Sequence, residues 1–180
     1  MTVVIDIGCA KWGSDESIPY LIETFKPTAL YGFDPALDGS EDVTILDSDP
    51  QTWVMLRPWC AWVHDGHVGF KVAGLGGKVE ADAPSYPCFD LARFILELDE
   101  EKIVLKMDAE GAEYELLPHL REHDADLRLK LAWVEWHCEY CGLGGNGRHR
   151  DNCQGNAEAW WQRRRALEAD MRCEMQEWNR

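Results

Sequence analysis

A strand, a helix and a second strand fill the first 35 residues, and this unit limits the fold more than any other part of the chain. VVIDIG, Val3 to Gly8, is a short apolar run that ends in glycine, the pattern of a buried parallel strand. Ile18, Leu21, Ile22 and Phe25 follow at the i, i+3, i+4, i+7 spacing of one helix face. Ser17 stands at the N-cap position, Pro19 falls in the first turn where its missing donor costs little, and Pro27 stops the helix. LYGFDP, Leu30 to Pro35, then reads as a second strand. A right-handed crossover makes the two strands parallel.

The rest of the chain continues the alternation. Val43 to Leu46 is a short strand, and CAWV-HDGH-VGFKV carries the Asp65-Gly66 signal of a hairpin. Residues 73–90 read as a long loop, and Phe89 to Leu98 as a helix. IVLKM (Ile103 to Met107) and LAWVEWH (Leu131 to His137) are further strands. Asn156 caps a helix bearing Ala157, Trp160, Trp161, Leu167 and Met171, and CEMQEW alternates as an edge strand does. Strands alternating with helices specify an α/β sheet with its site at the carboxyl ends of the strands. At 180 residues this is one domain, 1–180, with a Cys/Gly-rich loop insertion at 138–155.

Charge narrows the function. The formal net charge is −15, and residues 1–147 hold 11 basic against 27 acidic residues. Such a body is a poor match for a phosphate backbone, so general nucleic-acid binding is not expected. An anionic partner would have to meet the C-terminal segment, where Arg163, Arg164 and Arg165 adjoin. No apolar run is long enough for a membrane helix. The N-terminus lacks a basic n-region, and the seven cysteines are an odd number, so thiols or ligands in the cytoplasm are expected rather than a disulfide framework.

Two groups of residues point to a ligand. Gly8 ends the first strand within D-I-G-C-A-K-W-G, Asp6 to Gly13, and Asp34 ends the second, where an acid can take both ribose hydroxyls. Position 10 is alanine, so G-x-G-x-x-G is absent, and Gly77-Lys78 is followed by valine, so no phosphate loop is present. This favours a nucleoside without phosphates, such as S-adenosylmethionine, over a pyrophosphate cofactor. Read blandly, Gly8 merely ends a strand. The second group is V-L-K-M-D-A-E-G-A-E, Val104 to Glu113. Lys106 and Asp108 share a side, and Glu113 reads as an acid of a helix first turn.

VVIDIG with its glycine loop, LYGFDP, the CAWVHDGHVGF segment and LKMDAEGAEYELL, in that order, resemble the FkbM-type class I S-adenosylmethionine-dependent methyltransferases over about residues 3–137. The resemblance implies a Rossmann-like, mostly parallel sheet with helices on both faces, and methylation of a small-molecule hydroxyl on a sugar or natural product. By position, Asp6, Gly8 and Gly13 match the donor-binding loop, Asp34 the ribose acid, and Asp108 and Glu110 the D-x-E-G motif. Cys9 and Trp12 lie in that donor loop, which is one residue longer than the usual D-x-G-A-N-x-G. The family's N-terminal extension does not precede Val3, so the acceptor walls are expected from residues 36–42, 73–90 and 138–155, or from another subunit of a homo-oligomer.

Side by side, the strands 103–107 and 131–137 bring Glu135 and His137 next to Asp108. His137 is a candidate base with Glu135 orienting it; alternatively Asp108, Glu135 and His137 hold a divalent metal. The plainer reading makes Glu135 a cap for nearby amides and His137 a wet strand-end residue. Cys138, Cys141, His149 and Cys153 have C-x2-C-x7-H-x3-C spacing, a candidate zinc site, or else a glycine-rich lid with unpaired thiols. Most of the nine tryptophans, Trp53, Trp59, Trp62 and Trp136 among them, belong in the core or at its edge; Trp12 is a candidate to cover an adenine or a sulfonium, as is Trp62 beside its core reading. A reading of another class is a catalytically silent donor- or nucleotide-binding module with a zinc-clipped interaction loop.

Overall fold

The computed structural model describes residues 1–9, 17–45, 51–73, 76–137 and 157–178. In chain order they form β1 (Thr2–Ile7), α1 (Ser17–Phe25), β2 (Ala29–Phe33), β3 (Glu41–Ile45), β4 (Thr52–Arg57), β5 (Cys60–Trp62), β6 (Gly66–Ala73), β7 (Gly76–Val79) and β8 (Ser85–Asp90). These are followed by α2 (Leu91–Glu97), β9 (Lys102–Met107), α3 (Glu113–Glu122), a 3-10 turn (Ala125–Arg128), β10 (Leu129–Val134), α4 (Ala157–Asp170) and β11 (Glu174–Glu177). A seven-stranded sheet runs β11-β10-β9-β1-β2-β4-β3, parallel throughout except for the edge strand β3. Numbered along the chain, its six parallel strands lie in the doubly wound order 3-2-1-4-5-6. The order reverses between β1 and β9, which makes the ends of those two strands the topological switch point.

Strand alternation divides the core between two faces. Val3, Ile5, Ile7, Ile103, Leu105 and Met107 pack with Leu91 and Ile95 of α2 and with Tyr114, Leu117 and Leu120 of α3. On the opposite face Val4, Leu30, Val54, Leu56 and Val104 meet Ile18 and Leu21 of α1. The α/β sheet with helices on both faces is therefore the observed fold. Alternation also places Asp6 and Lys106, both fully buried, on the α1 face. There Tyr20 and Phe25 of α1 lie 6.0 and 5.0 Å from Trp133, and Trp178 lies 5.3 Å from it, closing the side of the sheet next to the C-terminus.

Several local expectations change. Asp65-Gly66 does turn the chain, with Gly66 at φ +119°, but its two arms do not pair with each other. β8 lies between them, parallel to β5 and antiparallel to β6. The Asp65 carboxylate instead accepts from the Asp90 amide (3.1 Å) and pairs with Arg93 (2.5 Å), tying the turn to the start of α2. β7 and β8 occupy what composition reads as a loop at 73–90, and the hairpin is β6–β7, closed at Ala73↔Gly76. α2 starts only at Leu91 because Phe89 and Asp90 still belong to β8, and Asp90 caps the helix by accepting from the Arg93 amide. β4, to which the sequence pattern assigns no strand, pairs with β2. Ser17 is the first residue of α1, and its hydroxyl donates to Asp6 (2.9 Å). Trp136 is buried as expected, but Trp53 and Trp59 are 37% and 40% exposed. No helix of the described residues is long and apolar enough to cross a membrane.

Arg172 anchors β11. Its amide and guanidinium donate to buried Asp126 and its guanidinium also to Asp124. Burial pushes the Asp126 carboxyl up, but the Arg172 hydrogen bonds prevail and hold it below its ordinary value. A depressed folded-state value stabilises the fold above the unfolded carboxyl pKa of about 3.9, and that contribution fades as pH falls through the folded value. We expect the melting temperature of Asp126→Asn to fall less than that of the parent between pH 6 and pH 3. Parallel losses in the two proteins would show that this pair does not carry the dependence.

Candidate functional site

The site grows from the ends of β1 and β9. Gly8 adopts φ +74°, and a Cβ placed there would come within 1.9 Å of the Asp108 carbonyl oxygen. The glycine thus admits the neighbouring backbone of β9. The Gly8 amide donates to Phe33 (2.9 Å), and the Asp108 amide donates to Ile7 (3.0 Å), so three strand ends are laced together. Beneath them Lys106 Nζ donates to the Gly8 carbonyl (2.8 Å), pairs with Asp6 (3.1 Å) and approaches Asp108 (3.7 Å). Asp6 is thereby committed to Lys106 and Ser17, as an anchor for the loop above it.

Asp34 continues from β2. Its amide donates to Arg57 (3.2 Å) and its Oδ1 accepts from the Ala36 amide (2.7 Å), which fixes the carboxylate at the strand end. Cys9 packs in the α1-side core, and burial, followed by the charges of Asp6 and Asp34, raises its thiol well above the ordinary value. It fills space as a neutral thiol. Trp12 and Gly13 lie outside the described residues, as do Cys138, Cys141, His149 and Cys153. Trp62 is half-buried on β5. Cys60, Cys88 and Cys173 are free thiols.

The second half of the site is organised by a residue that the sequence pattern reads only as a helix-end acid. Glu113, fully buried at the first position of α3, accepts from the Ala109 amide through Oε1 and from the Gly111 amide through Oε2, both at 2.8 Å. The chain wraps around this carboxylate, with Glu110 at φ +52° and Gly111 at φ +105°. A left-handed glutamate costs on the order of 1–3 kcal/mol and persists only where its surroundings hold it, and such strain concentrates at functional positions. Glu113 also bonds His137 Nδ1 (3.0 Å). It is Glu113, then, and not Glu135, that orients the ring. His137 Nε2 faces Asp108 at 3.5 Å, Glu110 at 3.7 Å and Glu135 at 3.7 Å.

The crowding of acids sets the charge state. Burial alone would lower His137, but the Glu113 bond and charge, with Asp108 and Glu110, overcome it and raise the ring to about 9. Burial and Asp108 push Glu135 up to about 7, and burial likewise raises Glu110. At neutral pH and with no ligand, His137 is an imidazolium, the wrong form for a base.

The arginine run divides: Arg163 and Arg165 are exposed, and Arg164 turns inward. Arg164 is buried between Trp136 and Trp161, with its guanidinium 5.2 and 5.0 Å from their rings, and is paired with Glu168 (2.8 Å) and Glu177 (3.1 Å). Arg163 lies over Tyr114 at 4.9 Å. The chain matches no family model, no curated protein and no solved structure.

Breaking the Asp6–Lys106 pair tests the framework. Lys106→Met leaves a buried carboxylate without its cation and should cost about 3–5 kcal/mol. The double variant Asp6→Asn/Lys106→Met should cost clearly less than the two single changes added together. Additive losses in denaturant titrations would show that the two groups act independently.

Proposed function

We propose that this protein is an S-adenosylmethionine-dependent methyltransferase that acts on an oxygen of a small acceptor, as expected for the FkbM type. One observation carries the reading. At the switch point of a 3-2-1-4-5-6 sheet, the turn after β1 and the acid after β2 adjoin an acid–imidazole cluster at the ends of β9 and β10. Ligands of open α/β sheets sit in that crevice. Asp34, fixed by the Ala36 amide, suits the two hydroxyls of a ribose, and the sequence around Gly8 has no phosphate-binding glycine pattern.

When bound, the donor supplies a methyl group on a cationic sulfur. The acceptor oxygen forms the new C–O bond as the C–S bond breaks and its electron pair returns to sulfur. The chain's task is to place that oxygen and take its proton. Glu135 is assigned this role on access. Its side chain is 31% exposed at the end of β10, against 6% for His137. His137, held by Glu113, fixes the carboxylates around it. The roles first expected for Glu135 and His137 are thus exchanged.

Calorimetry on the purified chain should show S-adenosylmethionine and S-adenosylhomocysteine binding where NAD does not. Asp34→Ala should weaken binding at least tenfold, the value of a charge-assisted hydrogen bond of about 1.5–3 kcal/mol. With sugar or polyol acceptors, Glu135→Gln should lower S-adenosylhomocysteine release about 100-fold or more at unchanged donor affinity. NAD binding in place of the donor would overturn the ligand, and full turnover by Glu135→Gln would overturn the base.

A further inference from the structure

We propose that Asp108, Glu110 and His137 form a binding site for one divalent first-row transition-metal cation, with Glu113 positioning the histidine from behind. Two carboxylate oxygens and an imidazole nitrogen of these residues lie within 4.8 Å of one another. They come from two different strand ends, so the fold converges them; they are not neighbours on one helix face.

The spacing is that of ligands around an ion. His137 Nε2 stands 3.5 Å from Asp108 Oδ1 and 3.7 Å from Glu110 Oε2, both too long for hydrogen bonds. Donors held at about 2.1 Å from a shared ion are separated by roughly 3.0 Å in octahedral and 3.4 Å in tetrahedral geometry. The His137 pairs stand within about 0.7 Å of such distances, and the whole group, within 4.8 Å, closes by side-chain rotation. On the other side of the ring, Nδ1 is engaged by Glu113 at 3.0 Å, and that carboxylate is itself locked by the Ala109 and Gly111 amides. A buried carboxylate on one imidazole nitrogen, with the other nitrogen facing oxygen donors, is the outer support found behind metal-bound histidines. It holds the Nδ1 proton toward Glu113, so that an ion displacing the Nε2 proton would meet that nitrogen on the side of Asp108 and Glu110.

The donor set selects the ion. One imidazole among carboxylates suits a first-row ion such as Mn2+ or Zn2+, whereas Mg2+ prefers an all-oxygen shell. Three protein ligands leave room for a hydroxyl oxygen. There the cation would lower the acceptor's pKa and hold it beside Glu135, a role that rests on the methyltransferase reading. Ion binding itself rests on the geometry alone.

Mn2+ is the probe of choice because it binds thiolates weakly, so the cysteines at 138–153 do not compete. The full chain, stripped with chelator and desalted, is titrated with Mn2+ and followed by loss of the free-ion electron paramagnetic resonance signal. One ion per chain is expected, bound at least tenfold more weakly by both His137→Ala and Glu110→Gln. Glu113→Gln should also weaken binding about tenfold, as loss of outer support does. Glu110→Gln alters a partly exposed loop side chain, so it remains informative if the buried substitutions impair folding. No bound Mn2+ at millimolar concentration, or unchanged affinity in Glu110→Gln, overturns the site. S-adenosylhomocysteine calorimetry on the same samples separates the two proposals. Nucleoside binding without Mn2+ binding defeats only the ion, and Mn2+ binding without nucleoside binding defeats only the methyltransferase reading.

Discussion

The ammonium of Lys106 sits under the switch point, and most of the site depends on it. It is fully buried on the sheet face covered by α1, where a lone charge would be costly. Asp6, the Gly8 carbonyl and Asp108 surround it, and Trp178 lies 5.7 Å away with its ring toward the cation. The three oxygen partners belong to different pieces of the crevice: the end of β1, the loop after it and the loop after β9. One cation therefore sets the relative height of the two loops that meet at the point where ligands bind in this architecture. Buried pairs add little net stability over apolar packing, so the value of this one is geometric.

A second buried charge does the same for the other half of the site. Glu113 folds residues 109–111 around its two oxygens and presents one of them to His137. With a net charge of −15, the chain still gathers Asp108, Glu110, Glu113 and Glu135 around a single ring. Among the described residues, Lys106 from below and the imidazolium in the middle offset that crowding.

How much of this is legible in the sequence varies with the range of the interactions. β1, α1 and β2 follow from local pattern, because a buried apolar strand and an amphipathic helix each carry their own periodicity. The D-A-E-G segment and Glu135-x-His137 are legible as groups because strand ends in a parallel sheet converge on one side. The small sheet is not. Asp65-Gly66 makes a real turn, but whether its arms pair is decided by β8, which is 20 residues further on and contains Pro87, a residue that weakens any strand signal. Glu113 sits in a helix first turn, where the helix dipole explains an acid by itself. Only its burial and its three partners reveal that it shapes the loop and the histidine. The arginine run shows the converse: three adjacent cations suggest a surface patch, yet helical spacing turns Arg164 inward between two tryptophans.

The proposed function places a nucleoside methyl donor at the switch point between β1 and β9. A crystal structure of the chain with S-adenosylhomocysteine tests it most directly. The ribose hydroxyls are expected on Asp34, the nucleoside across the turn at Gly8, and the sulfur directed toward Asp108 and Glu135. A ligand seated away from these strand ends, or one that leaves Asp34 without contact, would contradict it.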